Sequence, residues 1–118
     1  MLRRLRRACL ESAFPGAGRE VLAAAASKAS VIRRGRRELV ADEGRSRRIY
    51  VVAQGSLDVF KRTRDGYVRV GELGPGEVVD SGEELWRPDG ELLVLARTPA
   101  KLLVLDATTY AQVASQRS

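Results

Sequence analysis

The sequence predicts a mainly β domain with flanking helices: an antiparallel β-roll with a jelly-roll-like barrel shape, N-terminal helices and a short C-terminal helix. From residue 30 onward, short apolar runs alternate with turn residues, which is typical of antiparallel strands. The Asp65-Gly66 pair lies between two such runs and indicates a hairpin, because glycine accepts positive φ without a steric penalty. Before residue 29, apolar residues instead recur at helical spacing. The length of 118 residues suits a single core, so we expect one domain over 1–118.

The elements follow in a simple order. The helical part spans 1–28 and is interrupted by the PGAG breaker at 15–18. Its first helix is amphipathic, with arginines around an apolar set made of Leu2, Leu5, Cys9 and Ala13. The β-roll spans about 30–105, and Ile49, Val51, Leu57 and Val59 alternate as if one strand face were buried. A C-terminal helix is predicted over about 107–116, with Asp106 or Thr108 as its N-cap.

Composition excludes several classes of function. The chain has no histidine, which removes the usual general base and the commonest metal ligand. One cysteine, Cys9, cannot form an internal disulfide, so a reducing, cytoplasmic environment is expected. No apolar run approaches the length that crosses a bilayer, and no secretory signal is visible. We therefore expect neither an enzyme nor a metal protein.

The charge is unevenly distributed. Residues 1–48 hold thirteen basic and five acidic residues, a net charge of +8, whereas residues 49–118 hold eight and ten, a net charge of −2. Such asymmetry indicates an acidic partner: nucleic acid, an anionic membrane or a protein. The basic positions in question are 33–37 and the N-terminal arginines Arg3, Arg4, Arg6 and Arg7.

Three motifs then occur in a characteristic order. Residues 37–44 are RELVADEG, residues 50–59 are YVVAQGSLDV with Gly55 at the turn, and residues 73–77 are LGPGE. In this order and spacing they resemble the cyclic nucleotide-binding domain family, over about residues 14–110. Glycines 44, 55 and 76 fall at strand junctions, where positive φ or close backbone approach is needed. The resemblance implies a β-roll whose ligand, if any, is a cyclic nucleotide such as cyclic AMP or cyclic GMP.

In that family the next segment is a phosphate-binding cassette, Phe-Gly-Glu-x-(Ala/Ser)-Leu followed by Pro-Arg-x-Ala-(Thr/Ser)-Val. Its glycine and short helix donate backbone N–H groups to the phosphate, its glutamate binds the ribose and its arginine pairs with the phosphate. Counted without a gap, Val79-Asp80-Ser81 fall on Phe-Gly-Glu; an insertion places Gly82-Glu83 there instead. Gly90 falls where the arginine belongs. The ligand-binding candidates that survive are Gly82, Glu83, Glu84 and Arg87.

The charge of this segment opposes an anion. Residues 77–91 hold six carboxylates and one cation, Arg87. Trp86 is a large aromatic side chain in the same stretch, and tryptophan is enriched at interface hot spots. The segment therefore suits a basic protein surface better than a phosphate.

The leading hypothesis is a non-catalytic regulatory or adaptor module that has no cofactor and works through a protein partner or a homo-oligomer. The alternative is a small cyclic-nucleotide sensor with an atypical cassette. A second alternative is binding to nucleic acid or an anionic membrane through the basic N-terminal half, for which steep salt dependence is expected.

Overall fold

The computed structural model of the protein describes residues 2–40, 48–80 and 91–115. Two helices precede seven strands, and a third helix follows them in these ranges. In chain order the elements are α1 Leu2–Ala13, α2 Arg19–Lys28, β1 Ser30–Arg34, β2 Arg48–Gln54, β3 Leu57–Thr63, β4 Gly66–Leu73, β5 Val78–Asp80, β6 Leu92–Ala96, β7 Ala100–Asp106 and α3 Ala107–Ala114.

The strands form two antiparallel sheets. Sheet A has the order β1-β7-β2-β5, and sheet B has the order β4-β3-β6. This arrangement confirms the predicted fold class. The described strands form two separate sheets, however, and not a closed barrel.

Sheet A lies between the helices and sheet B, so both of its faces are buried. The helix-side cluster contains Leu10, Phe14, Leu22, Ile49, Val51, Leu103, Leu105 and Val113. The roll cluster, on the opposite face, contains Tyr50, Val52, Leu57, Val59, Val79, Val94 and Leu102. The expectation of one buried face is confirmed on β3, where Leu57 and Val59 face the inside of the roll. It is wrong on β2, where Ile49 and Val51 face the helices and the opposite face is buried as well. Along β2 the four residues 49–52 are all at most 1% exposed, because the strand is covered on both sides.

The turn at Gly55 carries the chain from sheet A to sheet B. Gly55 has a φ of +87°, as the sequence predicts for this position. The strands on either side of it, β2 and β3, do not pair with one another, since β2 pairs with β5 and β7.

The Asp65-Gly66 hairpin is present as predicted. It joins β3 and β4, and Gly66 has a φ of +126°. The pairing shifts by one residue between Val59 and Phe60, which leaves Val70 as an extra residue on β4.

The C-terminal helix begins at the predicted cap. The backbone N–H of Thr109 donates to Asp106 Oδ1 at 2.7 Å, and this hydrogen bond is the first cause of the lowered pKa of the Asp106 carboxyl. Asp106 is thus the N-cap, and Thr108 lies within the first turn.

The segment after β1 extends sheet B. The backbone N–H of Arg37 donates to Ala96 O at 2.7 Å, and that of Val40 donates to Val94 O at 3.0 Å. Arg37 has a φ of +70°, in the left-handed region that glycine favours. The family segment that residues 37–44 resemble reads Gly-Glu-x-Ile-x-x-Glu-Gly and so begins with glycine at this position. Arg37 therefore holds a glycine conformation without being glycine.

We expect Arg37→Gly to stabilise the protein by about 0.5–1 kcal/mol. The left-handed conformation costs a non-glycine residue about 1–2 kcal/mol, and the added freedom of glycine in the unfolded chain offsets only part of that gain. Urea unfolding measures the difference. Arg36→Gly removes the same charge at a neighbouring residue that has no positive φ, so it should destabilise by about 0.5–1 kcal/mol. Equal destabilisation by the two substitutions would contradict this interpretation.

Candidate functional site

The predicted ligand site lies between β5 and β6. β5 belongs to sheet A and β6 to sheet B. The candidates Gly82, Glu83, Glu84, Trp86 and Arg87 belong to this connection and lie outside the described residues.

The GPGEV turn that precedes this connection packs against α1. The backbone N–H of Gly76 donates to Val52 O at 2.8 Å, and the N–H of Val52 donates to Glu77 O at 3.0 Å. Gly76 has a φ of +89°, and a Cβ at this position would lie 2.7 Å from Ser12 Oγ. The turn therefore needs its glycine for conformation and for close approach to α1, which explains its presence without a ligand.

The strand that leads into the cassette position ends in a buried acid. Asp80 is 8% exposed and is the buried charged residue of the described chain. In the ungapped comparison it occupies the position of the cassette glycine, which would offer its backbone to the phosphate. A carboxylate there adds negative charge where a cyclic phosphate needs donors and positive charge.

The other described walls of the roll are apolar. Val79 on β5 and Val94 on β6 belong to the roll cluster, and Leu92 packs against it. Leu92 falls on the alanine of the second half of the cassette, at the start of the strand. The resemblance places the phosphate-binding arginine two residues earlier, where the sequence has Gly90.

Cys9 of α1 lies close to the GPGEV turn. Its Sγ donates to Val52 O at 3.3 Å, next to the GPGEV turn. The nearby arginines suggest a lowered pKa, yet burial raises the pKa of the Cys9 thiol to about 11. The thiol is a structural group of the helix interface.

We expect Cys9 to react with an aromatic disulfide reagent at least ~100-fold more slowly in the folded protein at pH 8 than in urea. The raised pKa lowers the thiolate fraction about 100-fold, and burial restricts access further. Absorbance of the released thiolate measures the rate, with Cys9→Ser as the blank. Labelling of the folded protein as fast as the unfolded chain would show that the thiol is exposed.

The predicted N-terminal basic residues lie on α1, but their contacts are described only in part. The side chains of Arg3, Arg4 and Arg7 lie outside the described part of the structure. Arg6 is half-buried, and its Nε atom is buried without a hydrogen-bond partner among the described residues. α1 packs on sheet A and α2 through Cys9, Leu10 and Ala13. A binding role of the four arginines stays a prediction.

A second basic region surrounds the turn after β1. Arg33 pairs in register with Lys101 of β7, and both line an open cleft of about 480 Å³ together with Arg34, Glu38 and Gln54. Arg34 Nε donates to Leu39 O at 3.1 Å, which fixes this guanidinium beside the turn. The cluster at 33–37 is visible in the sequence, whereas Lys101 joins it only through strand register.

Two classes of site receive no support from the described residues. No group of three or more potential metal-ligating side chains comes together there. Among the described helices, none is both long and apolar enough to cross a membrane.

Comparisons with known proteins agree with this geometry at the level of fold. No family model matches the sequence, and no curated protein matches it. Among solved structures, the regulatory subunit of a cAMP-independent protein kinase A from Trypanosoma brucei, a mutant bound to cAMP in the A site, is 21% identical with a TM-score of 0.76. The alignment covers 96% of this chain and 44% of that one, so this chain spans less than half of that protein's chain.

Two bacterial structures are similar over most of their own length. A cyclic nucleotide-binding-like protein from Brucella abortus is 16% identical with a TM-score of 0.71, covering 93% of this chain and 97% of that one. The N-terminal domain of a transcriptional regulator from Streptomyces coelicolor is 24% identical with a TM-score of 0.67, covering 98% and 84%. The chain therefore has the fold of cyclic nucleotide-binding domains, as the three sequence motifs predict.

Proposed function

We propose that the protein is a non-catalytic regulatory module, formed by residues 1–118, that acts through protein contacts and not through cyclic nucleotide binding. The observation that carries this proposal is the composition of the cassette position. Residues 77–91 hold six carboxylates and one cation, and Gly90 occupies the position of the phosphate-binding arginine.

Electrostatics supports the loss of phosphate binding. At an effective dielectric constant near 20, a carboxylate about 4 Å from a phosphate opposes binding by about 4 kcal/mol. Solvent screening reduces this value for exposed groups, and it acts less on buried ones. Arg87 alone cannot offset several carboxylates of the same segment.

The fold comparisons support a regulatory role. The neighbours are a kinase regulatory subunit, a cyclic nucleotide-binding-like protein and the N-terminal domain of a transcriptional regulator, and the kinase of the first is itself named as cAMP-independent. We infer that Trp86 and the four N-terminal arginines are the first residues to test as contacts of a protein partner or of a second copy, in the cytoplasm.

Titration calorimetry with cyclic AMP and cyclic GMP tests this proposal. We expect no heat of binding with up to millimolar nucleotide. Micromolar binding that Arg87→Ala or Glu83→Ala abolishes would overturn the proposal and establish a sensor with an atypical cassette. Arg64→Ala is the matched control for Arg87→Ala, because it removes one exposed cation from the β3–β4 hairpin.

The similarity to a domain of a bacterial transcriptional regulator makes nucleic acid a second candidate partner, and the basic N-terminal half could also bind an anionic membrane. If the basic half binds nucleic acid or an anionic membrane, retention of an oligonucleotide or of anionic vesicles should be strong at low salt and fall steeply as salt rises. We expect no retention of a single-stranded oligonucleotide, because the first 50 residues supply only Phe14 and Tyr50 as aromatic side chains and both are buried.

A further inference from the structure

The outer face of sheet B carries a pocket that the roll does not use. Successive side chains of a strand point to opposite faces, so the roll cluster takes Leu57, Val59 and Val94 and leaves Asp58, Phe60, Leu93 and Leu95 on the outside. Phe60 lies opposite Leu93, and Asp58 lies opposite Leu95. The three apolar side chains of the resulting strip, Phe60, Leu93 and Leu95, are half-buried, and none of them belongs to either core cluster.

A pocket of about 350 Å³ opens on this face. Phe60 and Leu95 provide apolar walls, and the segment after β1 brings Arg36 and Arg37 to the rim opposite Arg97. We call this feature the outer pocket, lined by Arg36, Arg37, Asp58, Phe60, Leu95 and Arg97.

The outer pocket has an excess of positive charge. Its one acid, Asp58, accepts from Arg69 Nε at 2.7 Å, and Glu72 beside it pairs with Arg97 at 2.8 Å. These ion pairs neutralise the carboxylates of the face. Arg36 and Arg37 make no ion pair with any described residue. Two guanidiniums are therefore available next to an apolar wall.

We propose that the outer pocket binds an acidic peptide segment of a partner protein, with one aromatic or large aliphatic side chain against Phe60 and Leu95 and its carboxylates on Arg36 and Arg37. Arginine forms paired, charge-assisted hydrogen bonds with carboxylates. Covering the half-buried apolar wall with an apolar side chain makes the binding free energy more favourable, because both apolar surfaces leave water. This inference names a partner class and a surface, and it rests on the proposed function as a protein-contact module.

The same chemistry disfavours a nucleic acid strand. A strand needs a continuous basic track with exposed aromatic faces, whereas here Arg69 and Arg97 are held in ion pairs with Asp58 and Glu72. Phe60 is the aromatic side chain of the pocket, and it is half-buried. A compact pocket with one apolar wall suits a single anchoring side chain.

The backbone of Arg37 supports a role for its side chain. The residue keeps a left-handed conformation that glycine would adopt without cost, and it lies at the rim of the outer pocket. Strained backbone conformations cluster at functional sites, so the position of Arg37 at the pocket is consistent with a binding role.

The test is an NMR titration of the isotopically labelled full chain with the acetylated peptide EDEFEDE. We expect the largest amide shifts at Arg36, Arg37, Phe60 and Leu95, with shifts at least ~5-fold smaller for EDEAEDE because the anchor is removed. We expect the double variant Arg36→Ala/Arg37→Gly to weaken binding at least ~10-fold. The variant Arg33→Ala/Lys101→Ala removes the same charge at the neighbouring cleft and should change affinity less than ~3-fold.

Several results would overturn the proposal. These are no shifts at millimolar peptide, equal losses in the two double variants, or equal shifts with a seven-nucleotide oligo-dT, which would assign the pocket to nucleic acid. The spectra of the variants report directly whether each is folded. The titration is run with and without cyclic AMP, so that nucleotide binding, which would overturn the proposed function, is observed separately from loss of the peptide site.

Discussion

Gly55→Ala is expected to destabilise the protein by about 3 kcal/mol or more. A Cβ at this position would lie 2.5 Å from Pro99 O and 2.9 Å from Ala100 Cα, both of them backbone atoms. These atoms belong to the connection into β7 and cannot move without disturbing sheet A. The φ of +87° adds the strain of a left-handed alanine. Urea unfolding followed by circular dichroism measures the loss.

Two other glycines separate the steric part from the backbone part. Gly66 has a φ of +126° but open space around a Cβ, so Gly66→Ala should cost only about 1 kcal/mol. Gly71 has open space and no positive φ, so Gly71→Ala should be within ~0.5 kcal/mol of the native protein. If Gly55→Ala lowers the free energy of unfolding no more than Gly66→Ala does, then Pro99 and Ala100 do not lie as close to Gly55 as the structure shows.

Phe14→Ala is expected to destabilise the protein by about 3–5 kcal/mol. Phe14 is 0% exposed in the helix-side cluster, and its ring packs edge-on against Tyr110 of α3 with centroids 5.9 Å apart. Removing a buried phenylalanine loses its transfer free energy and leaves a cavity between α1, α3 and sheet A. A large loss would show that α1 is an integral layer of the domain, so that only its outward face is available to a partner.

A double-mutant cycle with Tyr110→Ala checks the cause. We expect a coupling of about 0.5–1.5 kcal/mol between the two rings, the usual range for an aromatic pair. Leu2→Ala, at the start of the helix that ends just before Phe14, tests whether the effect is general to α1 or specific to Phe14. A loss below about 1 kcal/mol for Phe14→Ala would mean that α1 does not pack on the sheet as described.

The sequence predicts local structure well where short-range chemistry decides it. The hairpin at Gly66, the N-cap at Asp106 and the positive φ of Gly55 and Gly76 are each determined by one residue type in one conformation. The two-sided burial of β2 is not predictable from alternation, because it depends on helices and a second sheet that cover the strand from opposite directions.

The cassette position and the outer pocket also differ in how far the sequence predicts them. The cassette position follows from motif order, and its acidic character is visible in the sequence itself. The outer pocket joins Arg36 and Arg37 to Arg97, which is 60 residues away along the chain, and only the pairing of the 37–40 segment with β6 brings them together. Nor does any local signal show that Arg37 adopts a glycine conformation, since the residue type argues against it.

Thermal unfolding in the presence of cyclic nucleotide tests the central claim most directly, because one melting curve shows both that the chain is folded and whether it binds. A ligand at 100 times its dissociation constant stabilises a protein by about 2.7 kcal/mol, which raises Tm by roughly 10 °C for a domain of this size. We predict a change below ~1 °C with 1 mM cyclic AMP or cyclic GMP, allowing for the usual scatter of such curves. A rise of several degrees that Arg87→Ala abolishes would contradict the account and show that the acidic cassette still binds a cyclic nucleotide.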